Sequence, residues 1–450
     1  MSTFCPLPWN SVSTRNNGDM RICCHANSYT KNRGILRKED GSAYNAGVDD
    51  WNEVRNSKLL KEVRTTMLKG EWHPECERCK KEEENGFISR RVLEGEDWGT
   101  IFANLTEEIA KANTQEDGTI DVDVMTIDFM DIRYGNFCNL KCRMCGPTDS
   151  HQWYEDYVKM AGKTHYQESS GRIQLEKNKK GRWATSAYDW FIDNEHHINS
   201  LYENAKNLKK LYIVGGEPLI IAEHAELLEK LIQSGHSQKL QLEYNTNLTS
   251  ISDRVYKAWE NFKQVRIGAS IDGYGKVLEY QRSPAKWDAI YENMLILEQN
   301  KNINVKAWIA FTITPYNVYH LPEFMKWKLC DSNLTRFNPA NAYRPVISEH
   351  LCHQPRQLNI KILPQHHKEA IVKKNLEYCN WIETTEFGDN VKAAFKKILL
   401  NVNNFMTSED LYNPYAAEFI ESTVKLDKIR NQSIIDVVPE LKDMFDAYYK

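Results

Sequence analysis

No stretch of the 450-residue chain approaches the roughly 20 consecutive apolar residues that a helix needs to cross a bilayer, so no membrane partner is expected. The opening residues, MSTFCPLPWN, lack the basic start and apolar run of a secretory signal, which predicts a cytoplasmic protein. Charge of one sign is lacking too: Lys and Arg number 58 against 62 Asp and Glu, a net charge of -4. Without a global basic field, nucleic acid is not an expected partner. In a reducing compartment the eleven cysteines, seven of them in close-spaced sets, point to metal binding rather than to disulfides. Hydrophobic residues at 41% and charged residues at 27% are ordinary for a globular chain, and the length allows two or three domains with a sizeable core.

The densest thiol set is Cys138-Asn-Leu-Lys-Cys142-Arg-Met-Cys145, a C-x3-C-x2-C spacing with Gly135, Asn136 and Asn139 beside it to let the backbone wrap tightly. Thiolates select soft or borderline centres such as iron–sulfur clusters or zinc. A tetrahedral structural zinc would want a fourth ligand close by, yet the next cysteine is Cys330. Three ligands suggest a cubane with one iron left open. The stretch closely resembles the cluster loop of radical S-adenosylmethionine (SAM) enzymes. That resemblance implies a [4Fe-4S] cluster whose open iron chelates SAM, and reductive cleavage of SAM to a 5'-deoxyadenosyl radical that takes hydrogen from a substrate.

Residues 1–97 read as short irregular pieces with one helix over about 50–68, too little to fold without a metal staple. Cys5, Cys23, Cys76 and Cys79 supply four thiols, enough for a zinc knuckle or for one cubane. Cys5, a gap, Gly18, four residues and Cys23 resemble the opening of the SPASM or twitch auxiliary-cluster module, which implies an auxiliary [4Fe-4S] cluster. In that family the module usually follows the barrel; here it precedes it. Cys24 reads as a packed or spare thiol.

From about residue 122, apolar runs alternate with helical stretches, the mark of parallel βα units. Strands are expected at 124–132, 210–214, 239–244, 264–270 and 304–312, with a last one at 334–338. The expected fold is α/β, a partial (βα)6 radical SAM barrel over 122–340 with an insertion at 148–206, between the N-terminal module and a helical tail over 341–450. In the insertion the basic run 177–182 reads as a solvated loop, and His196-His197 as a helix surface. Cys330, Cys352 and Cys379 lack metal-like spacing and read as ordinary thiols. Reactive groups of such barrels gather at the carboxyl ends of the strands.

Those strand ends carry further resemblance. Gly215-Gly216-Glu217-Pro218 resembles the family's GGE motif, which accepts hydrogen bonds from the SAM ammonium. Asn245, Thr246 and Asn247 resemble its third strand ending. Ser270 and Asp272 stand at the fourth, near the ribose and carboxylate, and Arg282 where a family arginine pairs with the carboxylate. Met144 occupies a position, usually aromatic, that lies against adenine. No residue is assigned to the chemistry on the substrate. The resemblance implies a peptide substrate, with a sugar, a nucleoside or nucleobase, or another small metabolite as the alternative, and an electron donor such as flavodoxin or ferredoxin. The tail has no evident peptide-binding winged helix. A non-catalytic iron–sulfur or zinc protein would account for the cysteines but not for the GGEP, NTN and SID strand endings.

Overall fold

The computed structural model describes residues 2–26, 30–96 and 105–446. The fold is α/β with mostly parallel strands, and the chain divides into two compact units.

The first unit comprises residues 1–138, 164–244 and 252–265. Its strands are β1 (Ser11–Thr14), β2 (Met20–Arg21), β3 (Phe129–Arg133), β4 (Lys210–Val214) and most of β5 (Gln241–Thr246), in the order β2-β1-β3-β4-β5. β1 runs parallel to β3 with Ser11 beside Phe129, so the N-terminal residues, read from sequence as irregular, extend the sheet. β3 and β4 are parallel with Phe129 beside Lys210, and β4 and β5 are parallel with Lys210 beside Gln241. One face of these strands is apolar: Ile132, Leu211, Ile213, Leu242 and Tyr244 are fully buried, as are Leu228 and Leu231 of the helix Ala222–Gln233. Each such side chain contributes roughly 1.5–3 kcal/mol of transfer free energy.

Two expectations shift here for one reason. β3 begins at Phe129 rather than near 124, and the helix expected over 50–68 is two helices, Trp51–Val54 and Lys58–Leu68. The buried Arg55 sits at the break, and its guanidinium donates to the carbonyls of Trp9 and Met125. Met125 and Ile127 are buried without forming a strand. An arginine that caps two backbone segments distant from it in the chain cannot be recognised from its neighbours in sequence.

Within 148–206, the basic run is the exposed turn of a small hairpin, Glu176–Lys177 with Trp183–Ala184. The helix Glu195–Ala205 carries His196 outward but buries His197 completely, contrary to the surface reading of the pair. His197 packs edge-on to Trp190 at 4.9 Å and lies 3.3 Å from the Tyr134 hydroxyl. Burial lowers its pKa to about 4, so it is a neutral core residue.

The second unit comprises residues 139–163, 245–251 and 266–450. It holds most of β6 (Gln264–Ser270), then β7 (Val305–Ile313) and β8 (Ser348–Leu351). β7 and β8 are parallel, with Ala310 beside Ser348 and Thr312 beside His350. β8 replaces the strand expected over 334–338, where Phe337 makes only an isolated bridge to Ala307. Asn338 turns to φ 50° and its side chain accepts from the Ile309 N–H at 2.7 Å, ending the extended run before Pro339. The tail helices are Gln365–Glu383, Asp389–Thr407 and Tyr412–Arg430, followed by the short Lys442–Phe445. The last four residues of the helical tail expected over 341–450 lie outside the described residues. No helix among the described residues is long and apolar enough to cross a membrane.

Candidate metal and cofactor site

The thiol loop begins in the first unit and continues in the second from Asn139. In the first unit, β4 ends in Gly215 and Gly216, with φ values of 88° and 53°. These are left-handed angles at which a side chain is strained. A Cβ on Gly216 would lie 2.0 Å from the Phe137 carbonyl oxygen. The Glu217 N–H donates to that same carbonyl at 2.8 Å. The GGE turn is thus pressed against the residue preceding Cys138, itself buried. Glu217 is buried, and its Oε1 accepts from the Leu219 N–H at 3.2 Å as Pro218 opens a helical turn.

In the second unit the loop is held by its own backbone. The N–H groups of Lys141 and Arg143 donate to the carbonyls of Ser283 and Gln281 at 2.8 and 2.7 Å. The Trp153 indole N–H donates to the Cys142 carbonyl at 2.9 Å, and the Ser150 hydroxyl to the Leu140 carbonyl at 2.5 Å. Arg143, between two of the thiols, points away from them. Its guanidinium stacks 3.6 Å from the Tyr280 ring centroid and pairs with the buried Asp427 of the helix Tyr412–Arg430.

Cys142 is buried, yet its pKa is lowered to about 7, first by a hydrogen bond with the Cys145 thiol and then, against burial, by the Arg282 charge. Arg282 Nη1 lies 3.7 Å from Cys142 Sγ, while Nε and Nη2 reach Asp272 Oδ2 at 2.7 and 2.6 Å. Burial opposes the charge on Arg282, but Asp272, Cys142 and Cys145 together raise its pKa. Asp272, fully buried, has its pKa raised by burial against the pull of Arg282 and of the Thr312 N–H, which donates to Oδ1 at 2.7 Å. Asp272 and Arg282, expected at separate contacts, are here one ion pair beside a thiol.

Asn247 Nδ2 donates to Asn139 Oδ1 at 3.0 Å, and its Oδ1 accepts from the Thr249 N–H and hydroxyl. It therefore braces the residue after Cys138. Thr246 Oγ1 accepts from the Leu248 N–H at 3.1 Å, closing the turn. Asn245 is exposed, whereas Ser270 and Met144 are half-buried. A Cβ on Gly268 would meet Asn245 Oδ1 at 2.4 Å and the Trp308 ring at 2.8 Å, so these three share one face. Strand alternation puts Ser270 on that face with Ala310 and Thr312. The register of β7 with β8 adds Ser348 and the exposed His350. The opposite face carries Ile267, Ile271, Ile309, Phe311 and Ile313, all fully buried. Ser348 and His350 had no signal in the sequence, because their strand was expected elsewhere.

In the first unit, Cys5, Cys23, Cys76 and Cys79 are gathered. Burial raises the Cys5 pKa, and the charges of Cys23, Cys79 and Cys76 raise it further. Cys76 is pushed up to about 12 and Cys79 to about 11, in both cases first by burial. Metal-free thiols so placed resist ionisation, and a multivalent cation is what relieves a buried set of mutually repelling thiolates. Cys24 also acts on Cys23 and Cys79, so it borders the group. The sequence reading passed over His25, whose Nδ1 lies 3.9 Å from Cys79 Sγ and 3.7 Å from a Glu82 oxygen. Its position two residues after Cys23 was the available signal.

Residues 132–326 match the model of the Radical SAM superfamily, a span that runs from β3 through the three-thiol loop and the GGE turn to beyond β7. The chain carries a radical SAM domain. With that domain the chain is a SAM-dependent iron–sulfur enzyme. No curated protein matches it. Among solved structures it is similar to SuiB of Streptococcus suis bound to the precursor peptide SuiA, at 14% identity and a TM-score of 0.33, covering 75% of this chain and 68% of that one. It is also similar to SuiB bound to S-adenosylmethionine, at 12% identity and a TM-score of 0.34, covering 82% and 74%.

The donor set fits the cluster the domain implies. Cys142 is biased toward thiolate, Cys145 is its hydrogen-bond partner, and Cys138 lies at the start of the same loop. A guanidinium beside the thiol suits an anionic cluster.

Proposed function

We propose that Cys138, Cys142 and Cys145 hold a [4Fe-4S] cluster in a partial barrel, and that Cys5, Cys23, Cys76 and Cys79 hold an auxiliary one in a twitch-like N-terminal module. The observation that carries the second assignment is the gathering of four thiols from three separate stretches of sequence, Cys5 and Cys79 buried and Cys23 and Cys76 half-buried, close enough to raise one another's pKa. The radical SAM cluster supplies the electron that splits SAM and yields the abstracting radical.

This chain's own residues bind, orient and exclude water. Glu217 accepts from the SAM ammonium, with Gly215 and Gly216 allowing close approach before Pro218. Asn245, Thr246 and Ser270 offer short polar side chains to the ribose region, and Met144 a polarizable surface to adenine. Arg282 has a double role, bound to Asp272 on one edge and facing Cys142 on the other, so it both orients the loop and places positive charge where SAM's carboxylate is needed. Asn247 braces the loop through Asn139.

The substrate we propose is a peptide, on the resemblance of the N-terminal thiols to a module whose chains include many peptide modifiers. A sugar, a nucleoside or another small metabolite is the alternative, and flavodoxin or ferredoxin the electron donor. Mass spectrometry of a host extract incubated with the reduced enzyme and SAM tests this. A peptide changed in mass supports the reading, and modification confined to small metabolites sinks it.

A further inference from the structure

Away from the cofactor residues, a second set of metal-ligating side chains lies in the C-terminal region. His366 and His367 open the helix Gln365–Glu383, and Asp443 belongs to the short helix Lys442–Phe445. His366 Nε2 is 2.8 Å from Asp443 Oδ2, and His367 Nε2 is 2.9 Å from Asp443 Oδ1. The three ligand atoms lie within 4.8 Å of one another.

Consecutive residues on a helix project about 100° apart and do not ordinarily meet. Here both imidazoles turn their Nε2 atoms onto one carboxylate, one to each oxygen. His367 is also oriented from behind. Its side chain is only 6% exposed, and its Nδ1 lies 2.7 Å from the Tyr319 hydroxyl. That hydroxyl is 3.4 Å from the His367 carbonyl oxygen as well. A carboxylate only accepts, so without metal each Nε2–H donates to its own oxygen of Asp443, and the Tyr319 hydroxyl holds the His367 ring at Nδ1. An imidazole bound to a metal through one nitrogen and fixed through the other by an oxygen acceptor is the usual arrangement of a ligating histidine.

We propose that His366, His367 and Asp443 form a binding site for a zinc-like divalent cation that pins the segment around Asp443 to the helix Gln365–Glu383. Two imidazoles and a carboxylate are a borderline donor set suited to zinc, and three protein ligands leave a position for water. On binding, each neutral imidazole shifts its proton from Nε2 to Nδ1, where on His367 the Tyr319 oxygen can accept it, and gives the freed Nε2 lone pair to the cation; the carboxylate keeps its charge, so no proton is lost and no redox step is involved. The site stands apart from the radical chemistry and is independent of its assignment.

The test uses the enzyme with its iron centres filled anaerobically. Zinc is added, unbound metal is removed, and bound zinc is measured by mass spectrometry and X-ray absorption. The expected result is one zinc per chain with nitrogen and oxygen neighbours at about 2.0–2.1 Å and none at the ~2.3 Å of a sulfur ligand. His366→Ala and Asp443→Asn should lose that zinc with iron content unchanged. Both side chains are more than half exposed, so these variants should fold. Tyr319→Phe should weaken binding roughly tenfold or more. Failure to retain zinc, a sulfur shell around it, or undiminished retention by the two ligand variants would each overturn the proposal.

Discussion

Gly216 shows how a single residue can carry the fit of a whole site. Its φ of 53° and the 2.0 Å approach of the Phe137 carbonyl to its missing Cβ set it apart from Gly235, which has φ 76° but nothing within 4 Å. Both Gly216→Ala and Gly235→Ala meet the left-handed backbone cost of roughly 1–2 kcal/mol, but only the first must also displace the thiol loop. Gly216→Ala is expected to lose iron from the loop and to lower thermal stability well beyond Gly235→Ala, as iron assay and calorimetry would measure. Equal effects of the two would refute the close-approach argument. His224 makes a different residue-scale prediction. Neither ring nitrogen has a hydrogen-bond partner among the described residues, and burial lowers its pKa to about 3. Unfolded histidine takes up its proton near pH 6.5, so below that pH the unfolded state binds more protons and stability falls as pH falls. The slope from this residue is at most about 1.4 kcal/mol per pH unit. His224→Phe, which keeps a ring against Tyr244, should flatten the decline in melting temperature between pH 6.5 and 4. An unchanged decline would place the acid sensitivity elsewhere.

At the scale of elements, the helix Tyr412–Arg430 and the thiol loop are joined by Arg143 and Asp427, 284 residues apart in sequence. The Asp427 carboxylate also accepts from the Tyr280 hydroxyl at 3.0 Å and from the Ile434 N–H at 2.8 Å. Asp427→Ala leaves a buried arginine without its counter-charge, which costs about 3–5 kcal/mol. The variant should melt at lower temperature and load less iron; normal loading at an unchanged melting point would contradict a bracing role for this helix. Nothing near Arg143 in sequence marks this pairing, whereas the cysteine spacing and the GGEP turn are legible because their chemistry is confined to a few adjacent residues. β4 and β6 were bounded correctly from their apolar runs and polar ends. β8 was not, because the stretch before Pro339 has strand-like residues that Asn338 turns aside, while Ser348–Leu351 is short and half polar. The parallel pairing of Ser11–Thr14 with Phe129–Arg133 was invisible for the same reason as the Arg143 bond: it joins residues more than a hundred apart.

For the molecule as a whole, the account assigns two iron centres to two thiol sets. Cys76→Ala should lose about half of the iron while retaining the spectrum of the SAM-binding cluster, and Cys142→Ala should do the reverse. Unchanged iron in Cys76→Ala would argue against an auxiliary cubane and for zinc or no metal at the N-terminal thiols. The central claim is tested most directly by the fate of SAM. The enzyme, reconstituted anaerobically and reduced with dithionite, is given SAM, and 5'-deoxyadenosine is measured by chromatography. The account predicts 5'-deoxyadenosine from the wild type and none from Cys142→Ala. A wild-type preparation with filled clusters that releases none, or a Cys142→Ala variant that still releases it, would contradict the account.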